Sequence, residues 1–72
     1  GVVMASNTTQ LWTAADAVLN GSVTCEAHGG IVKAYAYRKL EAYGDTQVYA
    51  ASERNITLGG NATIHRLTTE VQ

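Results

Sequence analysis

The chain has 72 residues and a formal net charge of −1, from five Lys and Arg against six Asp and Glu, with one Cys and no Pro. That charge balance argues against nucleic-acid binding, which rests on several cationic phosphate contacts, and a lone Cys25 excludes an intrachain disulfide scaffold. No stretch approaches the roughly 18 apolar residues of a membrane-spanning helix, so the chain is not expected to be an integral membrane protein.

From the N-terminus, Val2-Val3-Met4 reads as a short strand or an ordered arm. Thr13-Ala14-Ala15-Asp16 followed by Ala17-Val18-Leu19 has the composition of a short helix, with Asn20-Gly21 as its stop. The same stretch also reads as a degenerate repeat, since Ala15 and Ala17 fall eight residues before Val23 and Cys25. Residues 1–22 are therefore expected to form an N-terminal arm or cap that is irregular or helical.

The segment 23–72 carries a beat of eight. Val32, Leu40, Val48, Ile56 and Ile64 follow one another at that interval, and Val23 precedes Val32 by nine. Two positions after each stand Cys25, Ala34, Ala42, Ala50, Leu58 and Arg66. Within the second repeat Val32, Ala34 and Ala36 alternate with Lys33, Tyr35 and Tyr37, the period-two pattern of a strand with one dry face. Corner residues follow in Gly29-Gly30, Gly44-Asp45, Ser52-Glu53 and Gly59-Gly60-Asn61. A repeat this short points to a chain that stacks on itself or on its own copies. The expected core is Val23, Cys25, Val32, Ala34, Leu40, Ala42, Val48, Ala50, Ile56, Leu58 and Ile64.

Two arrangements fit. A single chain can coil with three octads, about 24 residues, per turn, or three chains can wrap round a shared threefold axis with one octad per side. Small residues suit a crowded axis, and small chains without disulfides commonly need oligomerisation. An intertwined homotrimer is the expected form.

Leu40-Glu41-Ala42-Tyr43-Gly44-Asp45-Thr46-Gln47, Val48-Tyr49-Ala50 and Ile56-Thr57-Leu58-Gly59-Gly60-Asn61-Ala62-Thr63 resemble the octapeptide repeats of phage tail spike and fibre proteins. The family's triple-stranded β-helix opens each octad with valine, a position matched by Val23, Val32, Leu40, Val48, Ile56 and Ile64. Its following glycine position holds Cys25, Ala34, Ala42, Ala50, Leu58 and Arg66 here. The resemblance implies an all-β, octad-repeat β-helix acting as a rod in host-envelope penetration or attachment. It also implies location in the virion or an extracellular surface structure, and contacts with other tail components or the host envelope. The polar ending Thr68-Thr69-Glu70-Val71-Gln72 reads as shaft and not as a spike tip.

Residues able to carry chemistry are sparse. Cys25 and His28 could form a thiolate–imidazole pair or metal ligands, but no third partner stands at suitable spacing, and the two are expected to diverge. His65 is expected to face solvent. Asp16, Glu26, Glu41, Asp45, Glu53 and Glu70 read as solvated charges, none expected beside a carboxylate partner as glycosidase chemistry needs. Asn7, Asn20, Asn55 and Asn61 open glycosylation sequons but read as turn residues next to strand Thr. No catalytic residue, metal or cofactor is expected. Tyr35, Tyr43 and Tyr49 form the candidate contact surface, either as an outer packing ladder or as a stripe that recognises glycan or protein.

Overall fold

The computed structural model describes residues 1–67, and these form a parallel β-solenoid of about four turns without a helix. Nine strands succeed one another: β1 (Val2–Ser6), β2 (Gln10–Thr13), β3 (Asp16–Asn20), β4 (Thr24–Ala27), β5 (Ile31–Ala36), β6 (Lys39–Ala42), β7 (Gln47–Ala50), β8 (Ile56–Leu58) and β9 (Thr63–Arg66). Odd-numbered strands make a five-stranded sheet and even-numbered strands a four-stranded one, each ordered as in the sequence. All pairing is parallel and lies within the one chain.

Register fixes the coil. Val2 pairs with Asp16, Ala17 with Val32, and Val48 with Ile64, so the turn lengthens from 14 to 15 and then 16 residues. The single-chain alternative of about 24 residues per coil thus gives way to a two-sided coil of 14–16 residues. Two sheets facing each other bury one side of strands β1 to β7, and short side chains suffice to fill the narrow gap.

The inward rows follow directly from the alternation. On the five-stranded sheet Val3, Ala17, Val32, Val48 and Ile64 stack in one row, with Ala5, Leu19, Ala34, Ala50 and Arg66 in the next. On the four-stranded sheet Leu11, Cys25, Leu40 and Ile56 form one row, and Thr13, Ala27, Ala42 and Leu58 the other. Full burial of a Val or Leu contributes roughly 1.5–3 kcal/mol, and Leu19, Val23, Val32, Leu40 and Val48 are all at 0 % exposure. Of the expected core, Cys25, Ala34, Ala42 and Ala50 are buried too. Ile56 and Ile64 are half-buried and Leu58 is exposed, because they belong to the last described coil.

Two expectations near the N-terminus need correction. The helix is absent: Asp16–Asn20 is strand β3, and residues 2–20 contribute β1, β2 and β3 to the same two sheets. Pairing of Ala17 with Val32 on one side and of Met4 with Val18 on the other outweighs the helical preference of the alanines. The phase at Val23 also differs. Cys25, and not Val23, occupies the row of Leu40 and Ile56, while Val23 fills a corner, where its carbonyl accepts from the amides of Arg38 and Lys39. Glu70 and the second half of the last octad lie outside the described residues.

Corners absorb the differences in coil length. Asn7 and Asn55 adopt φ of 58° and 60°, a region in which Asn is several-fold enriched. This favours the turn reading of both sequons. Thr46 is the buried polar residue of the 43–46 corner. Its hydroxyl donates to the Tyr43 carbonyl at 2.6 Å and accepts from the Gly29 amide at 2.6 Å, tying two successive corners together.

Candidate functional site

The outward side of the four-stranded sheet brings Gln10, Trp12, Thr24, Glu26, Lys39 and Glu41 together. Because Leu11, Cys25 and Leu40 point inward, their neighbours point out. Gln10, Thr24 and Lys39 are in register and make one outward row, and Trp12, Glu26 and Glu41 make the next. These residues, over a floor of Leu11 and Cys25, line an open groove of about 400 Å³.

Glu26 and Glu41 are cross-strand partners. The sequence reading left every carboxylate without such a neighbour, and this is corrected: adjacent strands lie about 4.8 Å apart, which sets the two glutamates side by side. Like charges in that position repel, and each has a local polar partner. His28 Nε2 lies 2.6 Å from Glu26 Oε2, and Lys39 Nζ lies 3.1 Å from Glu41 Oε2. The Tyr43 hydroxyl donates to Glu41 Oε1 at 3.0 Å. Hydrogen bonds from Lys39 and then Tyr43 hold the Glu41 carboxyl below its ordinary range, and the same bond raises the Tyr43 phenol. Glu41 is therefore a fixed, ionised acceptor near neutrality. A glycosidase acid would require the opposite shift.

A ladder of rings runs along the end of this sheet. Trp12 stacks on His28 with centroids 5.1 Å apart and planes at 22°, and His28 meets Tyr43 at 5.1 Å and 31°. In the next coil the position is Gly59, where a Cβ would come within 2.7 Å of Tyr43 Cδ1, so the Tyr43 ring occupies the space a side chain would need. Trp12, on edge strand β2, remains 62 % exposed.

The three candidate tyrosines do not share one surface. Tyr43 belongs to the ladder just described. Tyr35 and Tyr49 lie on the five-stranded sheet, Tyr49 stacked on His65 at 4.7 Å. Tyr35 is an extra residue: Leu19 pairs with Ala34 and Asn20 with Ala36, so a bulge carries Tyr35 outward. Tyr37 instead serves a corner, donating to the Arg54 carbonyl at 2.6 Å. Trp12 and the Glu26–Glu41 pair were missed from sequence. Their one available signal was a spacing near 15, visible only once the coil length is known.

Cys25 and His28 diverge, the thiol into the core and the imidazole outward. Among the described residues no three His, Cys, Asp or Glu side chains converge as a metal site, and no helix is long and apolar enough to cross a membrane. Burial, and then the charge of Glu26, push the Cys25 thiol up to about 11 from its ordinary 9.0. Only the thiolate alkylates, so Cys25 is expected to label with iodoacetamide at pH 8 about a hundredfold more slowly than an unhindered thiol. Unfolding in urea should abolish the difference. The linkage has a definite sign: the thiol ionises more readily in the unfolded chain, so its contribution to stability is intact below pH 9 and is lost as pH rises through 11. A series of thermal melts, with Cys25→Ala as reference, reads this window.

Comparison with protein-family models, with characterised proteins and with solved structures finds no match to this chain.

Proposed function

We propose that this protein is a non-enzymatic structural element, a rod segment of the tail spike or fibre kind, that works at a virion or extracellular surface as a self-associated homotrimer. The observation that carries this reading is the parallel ladder around an interior closed by short side chains, Val32, Ala34, Leu40, Ala42, Val48 and Ala50. Such a coil transmits load along its axis through backbone hydrogen bonds, and it needs no moving part. The eightfold beat suits the same task, since two octads supply the two sides of each 16-residue turn.

Self-association is supported by the outward side of the five-stranded sheet. Val2, Met4, Val18 and Ile31 meet there on adjacent strands, with Met4 at 74 % exposure. Exposed apolar side chains grouped in this way on a small chain mark a contact surface. Asp16 lies within this surface, in register with Val2, and Lys33 borders it beside Val18; the two supply opposite charges that copies can exchange.

Sedimentation equilibrium tests the proposal. The expected species has three times the 7.6 kDa chain mass and a far-ultraviolet circular dichroism spectrum dominated by β structure. Met4→Lys, which places a charge in the patch without touching the core, should dissociate it. A folded 7.6 kDa species at millimolar concentration would overturn the reading.

A further inference from the structure

We propose that the groove on the four-stranded sheet is a saccharide-binding site, selective for neutral oligosaccharides. The side chains present two complementary recognition elements. The first is the Trp12 indole. His28 covers one face of it, and Trp12 is 62 % exposed, which leaves the other face accessible. Pyranose rings present a flat patch of C–H groups that packs on such a surface, and a half-covered indole is held in place before the ligand arrives. The second element is the polar set along the groove. Glu26 and Glu41 offer carboxylate acceptors at successive strand positions, while Lys39 and Gln10 offer donors and Thr24 a hydroxyl. Charge-assisted hydrogen bonds are the stronger class, and sugar hydroxyls use both donors and acceptors.

The charge pattern selects among sugars. Glu26 and Glu41 outnumber Lys39, whose ammonium is already engaged by Glu41 at 3.1 Å. An acidic saccharide would meet two carboxylates against a single ammonium whose charge Glu41 already balances, whereas a neutral one would find donors and acceptors in place. The rows run across the strands, so an oligosaccharide is accommodated along the solenoid axis, with its reducing or non-reducing end on Trp12.

Trp12 is the chain's single tryptophan, which makes its fluorescence a reporter confined to this site. The full chain is titrated with cellohexaose, maltohexaose and chitohexaose, and with hexagalacturonate as the acidic counterpart of equal length. The expected result is a saturable emission shift with at least one neutral hexamer and none with hexagalacturonate. Glu26→Gln and Glu41→Gln should each weaken binding by about tenfold, the loss of one charged hydrogen bond, with circular dichroism unchanged. Isothermal calorimetry on Trp12→Phe, which retains a ring, should show weaker but detectable binding. Absence of a shift with all three neutral hexamers, equal response to hexagalacturonate, or unchanged affinity in both glutamine variants overturns the proposal. These outcomes are independent of native mass, so failure here and failure of the rod reading are told apart.

Discussion

Val48→Asp is expected to leave the chain unfolded at neutral pH, the largest effect of any single substitution in the barrel of inward residues. Val48 sits at 0 % exposure in a row between Val32 and Ile64, and its strand carries Ala50 inward beside it. No cationic side chain belongs to these rows above Arg66. A buried carboxylate without a partner costs several kcal/mol even after relaxation. A chain of this length holds a total stability of about 4–11 kcal/mol at the usual value per residue. The penalty therefore consumes most or all of it. Protonation relieves the penalty, because the introduced carboxyl has a folded pKa raised above its unfolded value. Stability of Val48→Asp should then be greater at pH 4 than at pH 7, opposite to ordinary acid denaturation. Gln47→Asp on the same strand is the control: the residue is exposed and faces outward, and its effect should stay within about 0.5 kcal/mol. Val48→Ala, which removes volume and adds no charge, should fall between them at roughly 2 kcal/mol. Urea melts followed by far-ultraviolet circular dichroism measure all three.

The residues legible from sequence are those whose environment repeats. Val32, Leu40 and Val48 are spaced by eight because each side of the coil uses eight residues in its later turns, and alternation alone places Ala34, Ala42 and Ala50 inward beside them. Coil length was not legible in the same way. A beat of eight fits two, three or more sides per turn, and the choice is made by how the corners close. Corner lengths also vary. The segments between even and odd strands grow from residues 14–15 to 28–30 and then to 43–46, which moves Cys25 and Val23 out of the simple phase. The N-terminal helix expectation failed because local propensity is worth only tenths of a kcal/mol per alanine, whereas strand β3 is paired on both edges. The candidate site was the least visible part. Trp12 and His28 are 16 apart, His28 and Tyr43 are 15 apart, and Glu26 and Glu41 are 15 apart. These separations say nothing until the turn is known to contain that many residues.

Gly30→Ala is expected to destabilise the protein far more than Gly44→Ala, although both glycines occupy the left-handed region, at φ of 77° and 66°. The conformational cost is common to the two, about 1–2 kcal/mol for an L-residue held there. What differs is space. A Cβ on Gly44 meets nothing within 4 Å, so the conformational cost is the whole effect. A Cβ on Gly30 would stand 2.7 Å from the Ala15 carbonyl carbon, 2.8 Å from the Asp16 amide nitrogen and 2.9 Å from Asp16 Oδ1. Two of those atoms are backbone and cannot swing aside. Relief requires the corner at 28–30 to lift off the 14–15 corner beneath it, and the Asp16 carboxylate would be pushed from the Ile31 amide, which donates to it at 2.9 Å. Overpacking of this kind adds about 1–3 kcal/mol, giving a total of roughly 2–5 kcal/mol. At about 4–8 °C per kcal/mol for a domain of this size, Gly44→Ala should lower Tm by about 4–16 °C and Gly30→Ala by about 8–40 °C. Hydrogen exchange adds a local reading: in Gly30→Ala the amides of Ile31 and Gln47, which bond to Asp16 and to the Gly30 carbonyl, should lose protection before those of Leu40 and Cys25. Equal Tm values for the two variants would show that backbone conformation alone, and not the close stacking of corners, makes glycine necessary at position 30.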